Sequence, residues 1–365
     1  MSKLYRPLLF LVAIALGLAA LSVIASALPS FQPLDFEHYW TASRLLWRHI
    51  SPYNTVEFFA PPWMALVMWP FILMPNQVAA LLWLIVSLAS IGGSVVLSFR
   101  WTNLLHPSSW KIFFIVCVFI MPGSLFSYVT GQVSPIIGLA VLLLCWYVST
   151  KPRQNTTTII LIVISFLITT LKPHLAVLPD LLCILEIIRH RDRKLITGLV
   201  IGVIGVTLFA YAIDARWISE LLSAWLAGNF RGGRPGLVAS GYIGFQELGI
   251  PIWLFAPLAI YVLYQWYKQG LSISVITLAL SVNFLIIPYS RSYDYVMLIL
   301  PGWFLVKDLT YRNWLAISVV IVSLFIIPFT ILTILTPAVI TIGLLWQSKD
   351  TNYGLQPVKQ TSIET

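Results

Sequence analysis

Of 365 residues, 59% are hydrophobic and only 10% are charged, and the mean hydropathy is +0.90. So little polar surface excludes a soluble globule of this size and makes the chain an integral membrane protein. The net charge of +9 and pI near 9.5 would point to nucleic acid in a soluble protein, but the Lys and Arg sit in short clusters between apolar runs, as topology signals facing an anionic leaflet do.

The three cysteines, Cys117, Cys145 and Cys183, fall inside apolar runs without CxxC or Cys/His spacing, so neither a disulfide framework nor a zinc site is indicated. At the start, Lys3 and Arg6 precede an apolar run from Leu8 and then Ala25-Ser-Ala27, a pattern close to a signal peptide. The run of about twenty residues exceeds the usual apolar region of roughly 7 to 15. It reads as an uncleaved first helix over 7–27.

A polar and aromatic island follows from Asp35 to Trp63. Within it Phe36, Tyr39, Trp40, Ser43, Leu46 and Trp47 recur at helical spacing, while Glu37, Thr41, Arg44 and Arg48 share another face. The pattern predicts an amphipathic helix lying on a membrane surface. Residues 62–75 are short and rich in Pro, and are expected to form a second, partly embedded helix on the same side. Apolar runs near 77–99, 111–128, 133–149, 156–172, 174–188, 195–213, 248–267, 271–289, 295–307 and 314–346, the last long enough for a hairpin, bring the expected total to about twelve transmembrane helices.

The predicted fold is thus an all-α polytopic membrane protein. Its single domain covers 1–346, with amphipathic helices beside the membrane in the first external loop and a polar, disordered cytoplasmic tail over 347–365. With the N-terminus inside, the cluster Arg189 to Lys194 and most other Lys and Arg face the cytoplasm. Outside remain Arg44, Arg48, Lys172, Arg216, Arg231, Arg234 and Arg291, which satisfies the positive-inside rule. Most acids, among them Asp35, Glu37, Glu57, Asp214, Glu220, Glu247 and Asp294, fall on the external side, where loop 214–247 is long and Gly-rich.

Absences narrow the chemistry. There is no GxGxxG after a strand, no GxxxxGK[ST], and no Asp-x-Asp to hold a divalent metal on a nucleotide diphosphate. No cofactor or metal is called for. Three patches stand out instead: Asp35-Phe-x-x-Tyr39-Trp40 with Ser51-Pro-Tyr53 and Pro61-Pro62-Trp63, then Tyr128-Val-Thr-Gly-Gln132, then Leu171-Lys-Pro-His174. In this order they resemble glycosyltransferase family 87, part of the GT-C superfamily of polytopic transferases that use polyprenyl-phosphate sugars. The resemblance implies a GT-C-like bundle and transfer of a sugar, mannose first, from a polyprenyl-phosphate donor to a lipid or glycan acceptor. It also implies inversion, at the external face of a bacterial plasma membrane, with membrane lipids as the remaining partners and no nucleic acid.

Each candidate residue has two readings. Asp35 matches the family's proposed base, and one carboxylate suffices because a lipid phosphate leaves without protonation; alternatively it caps its helix. Lys172, with His174 beside it, matches the patch placed on the donor phosphate; alternatively the lysine snorkels to water. Gln132 and Tyr128 suit hydrogen bonds to the sugar, or a polar turn. Arg291 suits a phosphate or carboxylate, or a local salt bridge with Asp294. Family members often have a histidine patch there, whereas this chain has Tyr293-Asp-Tyr295. Arg231 and Arg234 are further candidates for the acceptor or phosphate, and Trp40 and Trp63 for stacking on substrate. Asp180, ionisable within an apolar run, is expected to pair with Lys172 or His174. The rival functions are a transporter or flippase of lipid-linked sugars, which would place polar breaks at the midplane, and a polysaccharide polymerase or ligase.

Overall fold

The computed structural model describes residues 33–53, 58–102, 108–150, 155–226, 251–287, 290–306 and 335–350. Over these the chain is helical, with no strand among the described residues. The predicted helix over 7–27, residues 227–247 with Arg231 and Arg234, most of the predicted hairpin 314–346 and the tail beyond 350 lie outside them.

Helix α1 (Leu34–Leu46) has the predicted periodicity, yet its apolar face does not lie on a membrane surface. Phe36, Ala42, Ser43 and Leu46 are fully buried against α2 (Met64–Ile72) and α3 (Asn76–Thr102). Two indoles one heptad apart explain the choice: Trp40 and Trp47 donate their N–H groups to the carbonyls of Phe71 and Ala65 at 3.1 and 3.3 Å, clamping α1 antiparallel to α2. Helix α2 has nine residues and contains Pro70. At about 14 Å it is far shorter than a bilayer core of roughly 30 Å.

The predicted run 111–128 is two helices, α4 (Ser108–Ile120) and α5 (Pro122–Thr130). Pro122 has no N–H to continue α4 and a ring suited to a helix's first residue, so the axis restarts there. Helix α6 (Ser134–Thr150) then leaves α5 at 120°. After α7 (Thr156–Thr169) a 3-10 turn over Pro173–Leu175 precedes α8 (Val177–Arg189), so His174 sits in a turn and not in a span starting at 174. Helix α9 (Arg193–Ile213) is followed by α10 (Trp217–Leu226), inside what reads from the sequence as a loop. A 3-10 turn (Ile252–Phe255), α11 (Ala256–Gln269), α12 (Ile273–Ile286), a 3-10 segment (Ser292–Leu298), α13 (Ile299–Val306) and α14 (Leu335–Asp350) complete the described chain.

Among the described residues two helices, α3 and α9, are long and apolar enough to cross a membrane, or three spans if the bent α5 and α6 count as one. The expected twelve rests also on shorter runs, several of which fold as apolar helices of 10–17 residues. Helix α9 shows why the chain needs a bilayer. Val200, Ile201, Ile204 and Leu208 are each more than half exposed, an arrangement that only an apolar solvent tolerates. Its inner side closes on α7 through Gly198 and Gly202, where a Cβ would fall 2.9 Å from Ile159 and 2.5 Å from Val163. Helices α6 and α12 are the opposite case, apolar and buried nearly all round. They form the centre of the bundle, and the polar cluster sits at their ends.

Candidate active site

The site starts from a glycine. Helix α5 ends at Gly131 in the left-handed conformation, φ 70°, which costs a residue with a Cβ and not glycine. Space demands the same residue: a Cβ there would lie 2.5 Å from the Phe36 side chain and 2.9 Å from that of Pro33. Trp83 of α3 holds the turn from the other side, donating its indole N–H to the Gly131 carbonyl at 2.9 Å while its ring meets Phe36. The N-terminus of α1 is therefore seated on the α5–α6 turn, and Asp35 lies beside Gln132.

Gln132 is 1% exposed. Its side-chain nitrogen donates to Asp35 Oδ2, and its oxygen accepts from Lys172 Nζ at 2.8 Å and from the Tyr39 hydroxyl at 3.3 Å. An ammonium has only donors, so the amide must turn its oxygen to Lys172 and its N–H groups to the carboxylate. The helix-capping reading of Asp35 does not hold. Pro33 occupies the cap position and no side chain bonds there, while the Asp35 carboxylate is engaged by Gln132.

Lys172 does not snorkel outward either. Its side chain is 18% exposed and folds inward onto Gln132, onto Asp294 Oδ1 at 3.4 Å and over the Tyr293 ring at 4.9 Å. Asp294, 1% exposed, also accepts from the Ser134 hydroxyl at 2.5 Å and from the Arg291 backbone N–H at 2.9 Å. The ion partner of Asp294 shown here is Lys172, with Arg291 contributing its amide. The Arg291 guanidinium lies 5.6 Å from the centre of the same Tyr293 ring, so one aromatic ring gathers two cations.

What sets Lys172 in place is a residue the sequence reading passes over. Asn283, fully buried in the last turn of α12, accepts from Leu178 N–H at 3.0 Å and donates to the carbonyls of His174 and Leu175 at 3.1 and 2.9 Å. One side chain thus closes the irregular turn that begins with Lys172. Asn283→Leu leaves three buried backbone groups without partners and should lower stability by roughly 2 to 4 kcal/mol, read as thermal unfolding in detergent. Asn283→Asp keeps the shape but cannot donate, and should fare nearly as badly. Asn within Leu278-Ala-Leu-Ser-Val-Asn-Phe-Leu-Ile286 is the available signal, since a lone amide in a buried run needs a polar partner.

The other candidates divide. His174 lies in the same turn; burial above all lowers its imidazole to about 3, with Asp294 opposing and the Lys172 charge adding, so it stands neutral at pH 7. Tyr128 is buried within α5, one turn before Gln132. Trp40 and Trp63 are committed to packing through their N–H groups, Trp40 to Phe71 and Trp63 to the Thr170 hydroxyl at 3.1 Å. Asp180 pairs with neither Lys172 nor His174 as expected; it accepts from the Thr169 hydroxyl at 2.6 Å. Ser134, unremarked in the sequence, belongs to the cluster, and its place after Gln132 and before Pro135 at a helix start is the clue it offers.

Two carboxylates, Asp35 and Asp294, two cations and a buried amide thus gather at the ends of apolar helices, groups that can take a proton and hold an anion. Among curated proteins, no sequence matches this chain. The sequence model of glycosyltransferase family 87 matches residues 58–328. That range takes in Gln132, Lys172, Arg291 and Asp294 and begins after Asp35, whose place in the site rests on its contact with Gln132. With well over half of its length in that match, and a helical bundle whose lipid-facing helices require a bilayer, the chain belongs to glycosyltransferase family 87 and is a membrane glycosyltransferase.

Proposed function

We propose that the enzyme moves a hexose or pentose, mannose first among them, from a polyprenyl monophosphate to a hydroxyl of a lipid or glycan acceptor at the external face of the plasma membrane, with inversion. The observation that carries this reading is the Gln132 amide, which holds Asp35 with one end and Lys172 with the other. Asp35 takes the proton of the acceptor hydroxyl as its oxygen bonds to the anomeric carbon. The bond from that carbon to the phosphate oxygen breaks, and the electron pair leaves with the polyprenyl phosphate. Lys172 and Arg291 face that developing charge, the ammonium as a point charge and the guanidinium as a fork. Gln132 keeps the carboxylate aimed by donating to it.

The test uses membranes containing the full chain, offered labelled polyprenyl-phosphate mannose, with lipid products separated. A new labelled glycolipid or glycan, absent from membranes without the chain, is expected. Label transferred from a nucleotide sugar and from no polyprenyl-phosphate sugar would overturn the donor assignment.

A further inference from the structure

The end of α8 away from the turn with Lys172 gathers cations from three elements. Arg189 closes α8, Arg191 lies in the turn that follows, Arg193 and Lys194 open α9, and Lys268 is in the last turn of α11; all five are exposed. Contacts across the turn bring α11 to the others. The Arg189 guanidinium lies 5.7 Å from the centre of the Trp266 ring and donates to the Tyr267 carbonyl at 3.4 Å. Glu186, which is buried, accepts the Trp266 N–H at 2.9 Å and lies 2.9 Å from His190 Nε2, so this carboxylate is taken up within the protein. Among the described residues no carboxylate lies within ion-pair distance of Arg191, Arg193, Lys194 or Lys268.

We infer that this patch holds an anionic phospholipid, with the phosphodiester on Arg191, Arg193, Lys194 and Lys268 and the acyl chains on the apolar flanks of the same helices. The flanks are where such a lipid needs them. Ile188, beside Arg189, Val200 of α9 and Ile260 of α11 are each more than half exposed. From Lys194 to Val200 the helix rises about 9 Å, and from Ile260 to Lys268 about 12 Å, the offset between a headgroup and the upper part of its acyl chains. Between apolar flank and cation on α11 stand Tyr264 and Tyr267, both more than half exposed, as rings at a lipid-water boundary do. Lys268 lies 5.6 Å from the centre of the Tyr264 ring. A topology signal needs only charge in each loop and no particular backbone. Arg191, however, adopts the left-handed conformation, φ 52°, at a helix end that glycine would close without strain, where the Asp192 N–H returns to the Ile187 carbonyl at 3.3 Å. The chain thus accepts backbone strain to carry a cation at this point.

The test needs neither donor nor acceptor. The purified full chain, in detergent with equal mole fractions of dioleoyl phosphatidylglycerol and dioleoyl phosphatidylcholine, is weighed by native mass spectrometry for the lipid it retains. The wild type should keep phosphatidylglycerol at least tenfold over phosphatidylcholine. Arg191→Gln with Lys268→Gln should cut that preference fivefold or more, and added salt should weaken it. Arg44→Gln with Arg48→Gln removes the same charge elsewhere and should leave it unchanged. Equal retention of the two lipids by the wild type, or the same loss in both double variants, would overturn the assignment. Arg191→Gly separates lipid binding from folding, because relief of the left-handed backbone should raise the unfolding temperature in detergent while phosphatidylglycerol retention falls. A fall in both would mark the arginine as structural and overturn its part in the site.

Discussion

Asp35→Asn should reduce sugar transfer by about 10²- to 10⁴-fold while donor affinity and thermal stability stay near those of the wild type. The size follows from the role: an amide has no basic oxygen pair to take a proton, so the acceptor hydroxyl must attack without general base help. The stability expectation follows from the geometry. Asp35 makes no capping bond to α1, and the buried contacts that seat the helix come from Phe36, Tyr39, Ala42 and Leu46. Removing one charge from a partly exposed position therefore disturbs little packing. The new amide oxygen can still accept from Gln132, so the site keeps its shape and loses its chemistry. Turnover of labelled donor, donor titration and thermal unfolding on one preparation decide the matter; wild-type turnover would remove Asp35 as the base.

How much of this is visible in the chain itself depends on the distance over which each contact acts. The helix from Leu34 is legible because Phe36, Tyr39, Ser43 and Leu46 fall on one face by local periodicity. What periodicity cannot say is whether that face meets lipid or protein; two indole hydrogen bonds to α2 settle it for protein. The break at Pro122 is legible in principle, since proline at a helix start is a local rule, but a hydropathy window smooths over it. Helix α10 is too short for such a window, although Trp217, Leu221 and Ala224 bury at helical spacing. The inward turn of Lys172 is illegible for a different reason. Its direction is chosen by Asp294, 122 residues further on, and by Asn283 of α12, which shapes the turn in which the lysine sits. No local pattern carries that information, whereas the ordered patches around Asp35, Gln132 and Lys172 carry the family.

Lys172→Ala is expected to weaken donor binding by roughly tenfold to a hundredfold, the worth of a charge-assisted hydrogen bond to a phosphate. It should also destabilise the fold, because Asp294, 1% exposed, would lose its ion partner. These two losses have separate causes and can be separated. The double variant Lys172→Met with Asp294→Asn removes both charges; the amide oxygen can still accept from the Arg291 N–H, and the Ser134 hydroxyl, which can accept as well as donate, can turn to receive the amide N–H. Thermal stability should recover most of what the single variant loses, while donor affinity stays low because no ammonium faces the phosphate. Recovery of both properties would mean that Lys172 serves only to neutralise Asp294, and the donor phosphate would then have to be held from the Arg291 side alone. Recovery of stability without affinity places the lysine on the donor, since the ammonium that Gln132 and Asp294 hold inward is then the group that the phosphate requires.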